Sequence, residues 1–255
     1  MTVIFQKTKG LTDVETHYCP GCTHGMIHRM VAESLEEMGE LGNTVGVCPV
    51  GCAVMAYDYF NVDMIEAAHG RAPAVATGLR SVLPDSMIFT YQGDGDLASI
   101  GTAEIVHAAH RGDNMTVIFV NNAIYGMTGG QMAPTSLPGQ RTTTSPHGRD
   151  PATMGYPIRM SEMLATIPGA AYIERTSTAT PNKVRKTKKA IRRAFEIQKA
   201  RRGFTMIEIL STCPTNWGMS PVDALRWLET DMEPYYPLGV YKDITKDHDV
   251  TGGMS

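Results

Sequence analysis

Two sets of residues in this 255-residue sequence have the types and spacing for chemistry. The first is Gly93-Asp94-Gly95-Asp96, which follows one apolar run; 26 residues further on comes Asn122, which follows another. If both runs are strands of a parallel sheet, they end at the same carboxyl edge, where open α/β folds bind ligands. Asp94 and Asn122 then point towards one place. A carboxylate beside a neutral amide oxygen suits Mg2+, which takes few protein ligands and completes its shell with phosphate or water oxygens. Backbone N–H groups at the helix start near Gly95 suit phosphates. The second set is the cysteines. Cys19 and Cys22 form a C-x2-C pair at the start of a helical pattern, Cys48 and Cys52 follow, and Cys213 comes after the last apolar run. Four thiolates can hold zinc or a 4Fe–4S cluster, and spacing does not separate the two.

The elements that must position these residues read as alternating strand and helix. Strands are expected at 44–48, 86–92, 115–120, 171–177 and 204–210, with helices at 23–38, 97–111 and 181–202. Short apolar strands separated by helices predict an α/β fold, a parallel sheet covered by helices on both faces. The 97–111 helix is apolar nearly all round through Ala98, Ile100, Ala103, Ile105, Val106, Ala108 and Ala109, so it should be buried. Residues 126–160, rich in Gly, Pro and Thr, are too long for a plain connection and read as a functional loop. Ser220, Pro221 and Asp223 form a helix start signal. Residues 1–255 read as one domain, with a C-terminal helix and arm at 219–255 that lies on the surface or on a partner subunit.

The Gly-Asp-Gly turn and its distant Asn match the thiamine-diphosphate motif. The wider pattern resembles the 2-oxoacid:ferredoxin oxidoreductases through CPGC at 19–22, VGC at 50–52, HGRAPAVATG at 69–78, GDGD at 93–96, NNAIYGMTGGQ at 121–131 and STCPTNW at 211–217. These stretches cover most of the chain in the right order. The resemblance implies a thiamine-diphosphate-binding fold of the diphosphate-module type. It implies Mg2+ held by Asp94, Asn122 and the carbonyl of Ile124. Gly51, Cys52, Gly93, Gly95, Asp96, Tyr125, Met127, Thr128 and Gly129 would border the cofactor, and His69 would approach its reactive end as the catalytic residue. It favours a 4Fe–4S cluster on Cys19, Cys22, Cys52 and Cys213, with Cys48 kept open as a substitute for Cys52.

The activity implied is CoA-dependent oxidative decarboxylation of a 2-oxoacid to an acyl-CoA and CO2, with electrons passed to ferredoxin. The wording of YQGDGDLASIGTAEIVHAAHRG and YGMTGGQMAPTSLPGQ resembles the 2-oxoisovalerate and 2-oxoglutarate branches. In this family a glutamate on a different domain serves the aminopyrimidine, and no second domain is recognisable here. The active site is therefore expected between subunits: this beta chain, an alpha chain carrying that glutamate, a gamma chain, and often a small ferredoxin-like delta chain.

Bulk properties narrow the classes. A net charge of −3, with 42% hydrophobic and 19% charged residues, gives no sign of a nucleic-acid or membrane partner. The 17 methionines read as core filler. MTVIFQKTKG lacks the apolar segment of a signal peptide, so a cytoplasmic protein with reduced cysteines is expected. The helix at 181–202 carries ten Lys and Arg against Glu196 alone, with Val184, Ile191 and Phe195 as its core stripe. It reads as a solvated face or as a dock for an acidic electron carrier or coenzyme A. Arg71, Arg141 and Arg149 are possible carboxylate binders. Two other readings compete. A non-oxidative thiamine-dependent 2-oxoacid decarboxylase subunit would need no cysteine quartet. A non-enzymatic electron-transfer module would need no GDG…N motif.

Overall fold

Seven strands form one sheet in the computed structural model, which describes residues 6–245. They are β1 (Thr44–Pro49), β2 (Asp63–Ala67), β3 (Met87–Gly93), β4 (Thr116–Asn121), β5 (Ala170–Ser177), β6 (Phe204–Leu210) and β7 (Gly239–Asp243). The order is β2-β1-β3-β4-β6-β5-β7. The first six strands run parallel and β7 is antiparallel to β5. The expectations for residues 1–5, the start of the leader reading, and for 246–255, the end of the arm, lie outside the described residues.

The central strands are buried on both faces because their side chains alternate between two apolar layers. Ile118 and Val120 of β4 pack with α1 (His24–Glu37) and the long helix Pro181–Lys199, through Val31, Leu35, Ile191 and Phe195. Val117 and Phe119 face the opposite layer, where α2 (Ala72–Val82) and α3 (Thr102–Arg111) contribute Ala72, Ala76, Ile105 and Ala108. The expected α/β fold with helices on both faces is what forms. Among the described residues no helix is long and apolar enough to cross a membrane.

Several local expectations need correction. The 97–111 helix is not continuous. A wide turn of π type, Asp96–Ile100, precedes Gly101, whose N–H bonds back to Asp96 O at 2.9 Å. Close approach explains the break: a Cβ at Gly101 would lie 2.7 Å from Asp96 O and 2.8 Å from Gly70 O. Nor is the helix buried all round, since Ile100 is 49% exposed and Ala103 faces solvent. The stretch HGRAPAVATG is mostly α2, with Pro73 in its first turn where the missing N–H costs nothing. Strand β2 escapes an apolar search because Asp63 and Glu66 sit on a half-exposed edge.

The basic helix, α4 (Pro181–Lys199), faces acids of its own chain. Lys188 pairs with Glu33 and Glu37 of α1 at 2.7 and 2.6 Å, and Arg192 pairs with Glu37 at 3.0 Å. Lys183 reaches Glu229 and Glu233, and Lys199 reaches Glu40. These cations are matched within the chain, which removes them from the docking surface considered above. Ser220 caps α5 (Pro221–Trp227) as expected, accepting from Asp223 N at 3.2 Å. The segment after it turns back on the chain. Tyr236 is fully buried, and β7 extends the sheet beside β5.

Candidate active site

The ends of β1, β2, β3, β4 and β6 meet at the carboxyl edge of the sheet. Strand order reverses between β1 and β3, so a crevice opens there. Asp94 sits one residue past β3 and is 3% exposed. Its Oδ1 accepts from Gly95 N at 2.8 Å, and its Oδ2 accepts from Thr135 Oγ1 at 2.6 Å and from Ile124 N at 3.2 Å. The same Ile124 N–H reaches Asn122 Oδ1 at 3.3 Å, so the Asp94 and Asn122 side chains flank one point.

Ala123 makes that convergence possible. Its φ is +57°, a left-handed conformation that non-glycine residues seldom adopt. Surrounding bonds hold it there. Ala123 N donates to Asn121 Oδ1 at 3.2 Å, while Ala123 O accepts from Ser136 Oγ at 2.6 Å and Gln140 Nε2 at 2.9 Å. Trp217 Nε1 adds a bond to Asn122 O at 3.1 Å.

Burial pushes the Asp94 carboxyl up to about 6, although bonds from Thr135 and from the Gly95, Ile124 and Ala123 amides pull the other way. A buried carboxylate held by neutral donors, beside an amide oxygen, fits a hard divalent cation better than a protein counter-charge. Gly95 is required by a close approach: a Cβ there would stand 2.2 Å from Cε1 of Tyr125. Gly95→Ala is therefore expected to displace that ring and cost roughly 1–3 kcal/mol of stability, read as a lower urea midpoint with an unchanged slope.

His69, just past β2, places Nδ1 2.6 Å from Asp96 Oδ1. Asp96 also accepts from Gly70 N at 2.6 Å and from Gln92 Nε2 at 2.7 Å. Burial raises the Asp96 carboxyl, and the Gln92, Gly70 and His69 bonds offset part of that rise. The imidazole is thus fixed by a carboxylate that is itself fixed.

One cleft is lined by Gly51, Cys52, His69, Gly93, Asp94, Gly95, Asp96, Asn122, Ile124, Tyr125, Met127 and Thr128, the residues expected to border a cofactor. Gly129 is not among the lining residues. His24, Val50, Ala53 and Gly126 line the cleft without having been singled out. The arginines named as carboxylate binders are elsewhere. Arg71 pairs with Glu104. Arg149 is buried and donates to the carbonyls of Ser136, Pro134 and Gly155, organising the 126–160 loop. Arg141 does not line the cleft.

A second cavity adjoins the first. Cys19, Cys22, Cys52 and Cys213 line it, and His24, Cys52, Asn122 and Gly126 belong to both walls. A Cβ at Gly126 would stand 3.2 Å from Cys52 Sγ and 3.5 Å from Cys213 Sγ. Burial raises the Cys22 and Cys52 thiols to about 12, and the neighbouring cysteines add to both rises. Cys48 is different: it is buried within β1, and its Sγ lies 3.8 Å from Ile65 O. It does not line the cavity, so it is not the substitute for Cys52 that spacing allowed. Among the described residues no three His, Cys, Asp or Glu side chains are grouped as a single metal ion requires. Four cysteines lining one cavity fit the four-thiolate demand of a polynuclear cluster.

Comparisons with known proteins agree with this geometry. Residues 49–209 match the family model for the thiamine pyrophosphate enzyme, C-terminal TPP binding domain. The chain is 47% identical over 240 residues to the ketoisovalerate oxidoreductase subunit VorA of Methanothermobacter thermautotrophicus, covering 94% of this chain and 50% of that protein. It thus spans about half the length of that relative. It is 35% identical over 237 residues to the 2-oxoglutarate synthase subunit KorB of Methanocaldococcus jannaschii, covering 90% of this chain and 82% of the relative. The solved 2-oxoglutarate:ferredoxin oxidoreductase from Magnetococcus marinus, with 2-oxoglutarate, coenzyme A and succinyl-CoA bound, superposes with a TM-score of 0.76 at 26% identity, over 98% of this chain and 94% of the other. With the GDG…N turn at the sheet edge and a KorB subunit matched over 82% of its length, the chain belongs to the 2-oxoacid:ferredoxin oxidoreductase family of thiamine pyrophosphate enzymes.

Proposed function

We propose that this chain is the thiamine-diphosphate-binding beta subunit of an enzyme that oxidatively decarboxylates a branched-chain 2-oxoacid, 2-oxoisovalerate, to its acyl-CoA and CO2 and passes the electrons to ferredoxin. The observation that carries the reading is the wall of His24, Cys52, Asn122 and Gly126 shared by the two cavities. A decarboxylase needs the first cavity alone, and an electron carrier the second alone. Side by side, they suit decarboxylation coupled to removal of electrons.

In this reading Asp94, Asn122 and the Ile124 carbonyl hold Mg2+ against the diphosphate. Cys19, Cys22, Cys52 and Cys213 hold a 4Fe–4S cluster. When bound, thiamine diphosphate supplies a sink for the charge left as CO2 departs, and the cluster supplies a one-electron acceptor. His69 presents an imidazole to the cleft in an orientation set by Asp96. Val50 and Met127, 42% and 52% exposed, give this chain's part of the cleft an aliphatic mouth. That favours an aliphatic 2-oxoacid over 2-oxoglutarate, as does the similarity to ketoisovalerate oxidoreductase subunits. The partners are an alpha chain that completes the aminopyrimidine site, a gamma chain, a ferredoxin-like delta chain, and ferredoxin itself; the subunit names of the relatives support such an assembly.

The test is anaerobic purification with its natural partners, followed by iron, sulfide, zinc and thiamine assays and viologen reduction. About four irons and one thiamine diphosphate per beta chain are expected. A kcat/KM for 2-oxoisovalerate roughly tenfold or more above that for 2-oxoglutarate is expected, the scale of one pocket contact. Thiamine without iron would move the assignment to a non-oxidative decarboxylase. Zinc without thiamine would end it.

A further inference from the structure

Two chains of hydrogen bonds run from the C-terminal strap, residues 232–243, into the turn that carries Asp94, Asn122 and Ile124. In the first, Tyr236 donates its hydroxyl to Thr135 O at 2.7 Å, and Thr135 Oγ1 donates to Asp94 Oδ2 at 2.6 Å. Tyr236 and Thr135 are fully buried, so water cannot replace these partners. In the second, Arg175 of β5 donates through one terminal nitrogen to Tyr241 OH at 2.6 Å and Pro237 O at 3.2 Å, both in the strap. Its Nε donates to Glu208 Oε2 at 2.9 Å, and Glu208 Oε1 accepts from Asn121 Nδ2 at 2.8 Å. Asn121 Oδ1 then receives the amide of Ala123, the left-handed residue between Asn122 and Ile124.

We propose that the strap is a positioning element of the cation site, acting on Asp94 through Tyr236 and Thr135. The argument is one of lone pairs. A carboxylate offers about four acceptor sites. Asp94 Oδ2 spends its two on Thr135 and Ile124, whereas Oδ1 accepts from Gly95. Thr135 therefore helps fix the rotation of the carboxylate, and with it the direction in which Oδ1 faces. Without the Thr135 hydroxyl, Oδ2 has a vacant site of its own and the carboxylate can rotate. Thr135 is a positioning residue: it meets the ligand oxygen's partner and never the cation. The proposal rests on the reading that Asp94 and Asn122 hold Mg2+.

The test is a Mg2+ titration of the protein as isolated with its partners, at fixed thiamine diphosphate, reading bound thiamine diphosphate and, separately, the thermal midpoint. Thr135→Val is expected to raise the half-saturating Mg2+ roughly tenfold or more, the usual effect of losing a residue that orients a metal ligand. Excess Mg2+ should restore the bound cofactor. Thr135→Ser keeps the hydroxyl and should stay within about twofold of the parent. Tyr236→Phe keeps the ring, removes the outer link, and should raise half-saturation by about threefold. A folded Thr135→Val protein that binds Mg2+ like the parent overturns the proposal, as does a Thr135→Ser protein as weak as the valine variant. If Thr135→Val does not fold, Tyr236→Phe decides, and an unchanged half-saturation there overturns it. Asp94→Asn separates the two levels: intact Mg2+-dependent binding in that variant removes the cation site itself, whatever Thr135 does.

Discussion

Asp94→Asn should abolish Mg2+-dependent thiamine diphosphate binding and lower 2-oxoacid oxidation by at least ~10^3-fold, about 4 kcal/mol on the scale of 1.36 kcal/mol per tenfold. Two effects add. The substitution removes the charge that a buried cation needs, leaving the amide of Asn122 and a backbone carbonyl as neutral ligands. It also puts an NH2 donor against other donors. Whichever way the new amide is turned, its nitrogen faces either Gly95 N–H or the pair of Ile124 N–H and Thr135 O–H. A buried donor without an acceptor costs about 1–3 kcal/mol. Cofactor content by thiochrome assay after gel filtration, with and without added Mg2+, checks the result. Retention of stoichiometric thiamine diphosphate would mean that this turn does not hold the diphosphate.

Cys22→Ser should bring iron from about four per chain to below one and lower viologen-linked activity by ~10^2-fold or more, because three cysteines do not complete a four-thiolate cluster site. The informative comparison is with Cys48→Ala. Cys48 is buried in β1 and outside the cysteine cavity, so its loss should leave iron unchanged and cost stability alone, on the order of 1 kcal/mol. Cys52 should behave differently from both. It borders the two cavities, so Cys52→Ser should weaken thiamine diphosphate binding as well as remove iron. Iron, sulfide and thiamine assays on the three variants give three distinct patterns. Equal iron in Cys22→Ser and the parent would sink the cluster assignment.

The residues proposed for the diphosphate site were legible because they lie next to strand ends. The run before Gly93 and the run before Asn122 are apolar enough to read as strands, and parallel neighbours must end at one edge. Residues reached through tertiary contact were less visible. Thr135 lies in a Gly- and Pro-rich loop whose length marked it as functional, but nothing local points its hydroxyl at Asp94, 41 positions earlier. His24 had a signal, two residues after Cys22, yet a histidine in a helix is usually core. It becomes a wall of both cavities once α1 is laid against β3, with Tyr91 OH 2.8 Å from Nδ1.

In the fold, the misses share a cause. β2 and β7 are edge strands with a free side, so they carry Asp63, Glu66, Lys242 and Asp243 where apolar patterning looks for Val and Ile. The break at Gly101 is set by Gly70, a residue 31 positions away, and no periodicity reports such a contact. The pairing of the basic helix was out of reach for a related reason. Its own sequence holds one acid, and the acids that answer it are on α1 and near α5.

The thiols that surround the second cavity come from positions 19, 22, 52 and 213, so roughly three quarters of the chain lies between the first and the last. If these thiols hold a cluster as proposed, it cannot be enclosed before residue 213 has been made, and closing so long a loop without the intervening sheet is entropically unfavourable. Iron delivery would then follow folding of the sheet that brings the four thiols together.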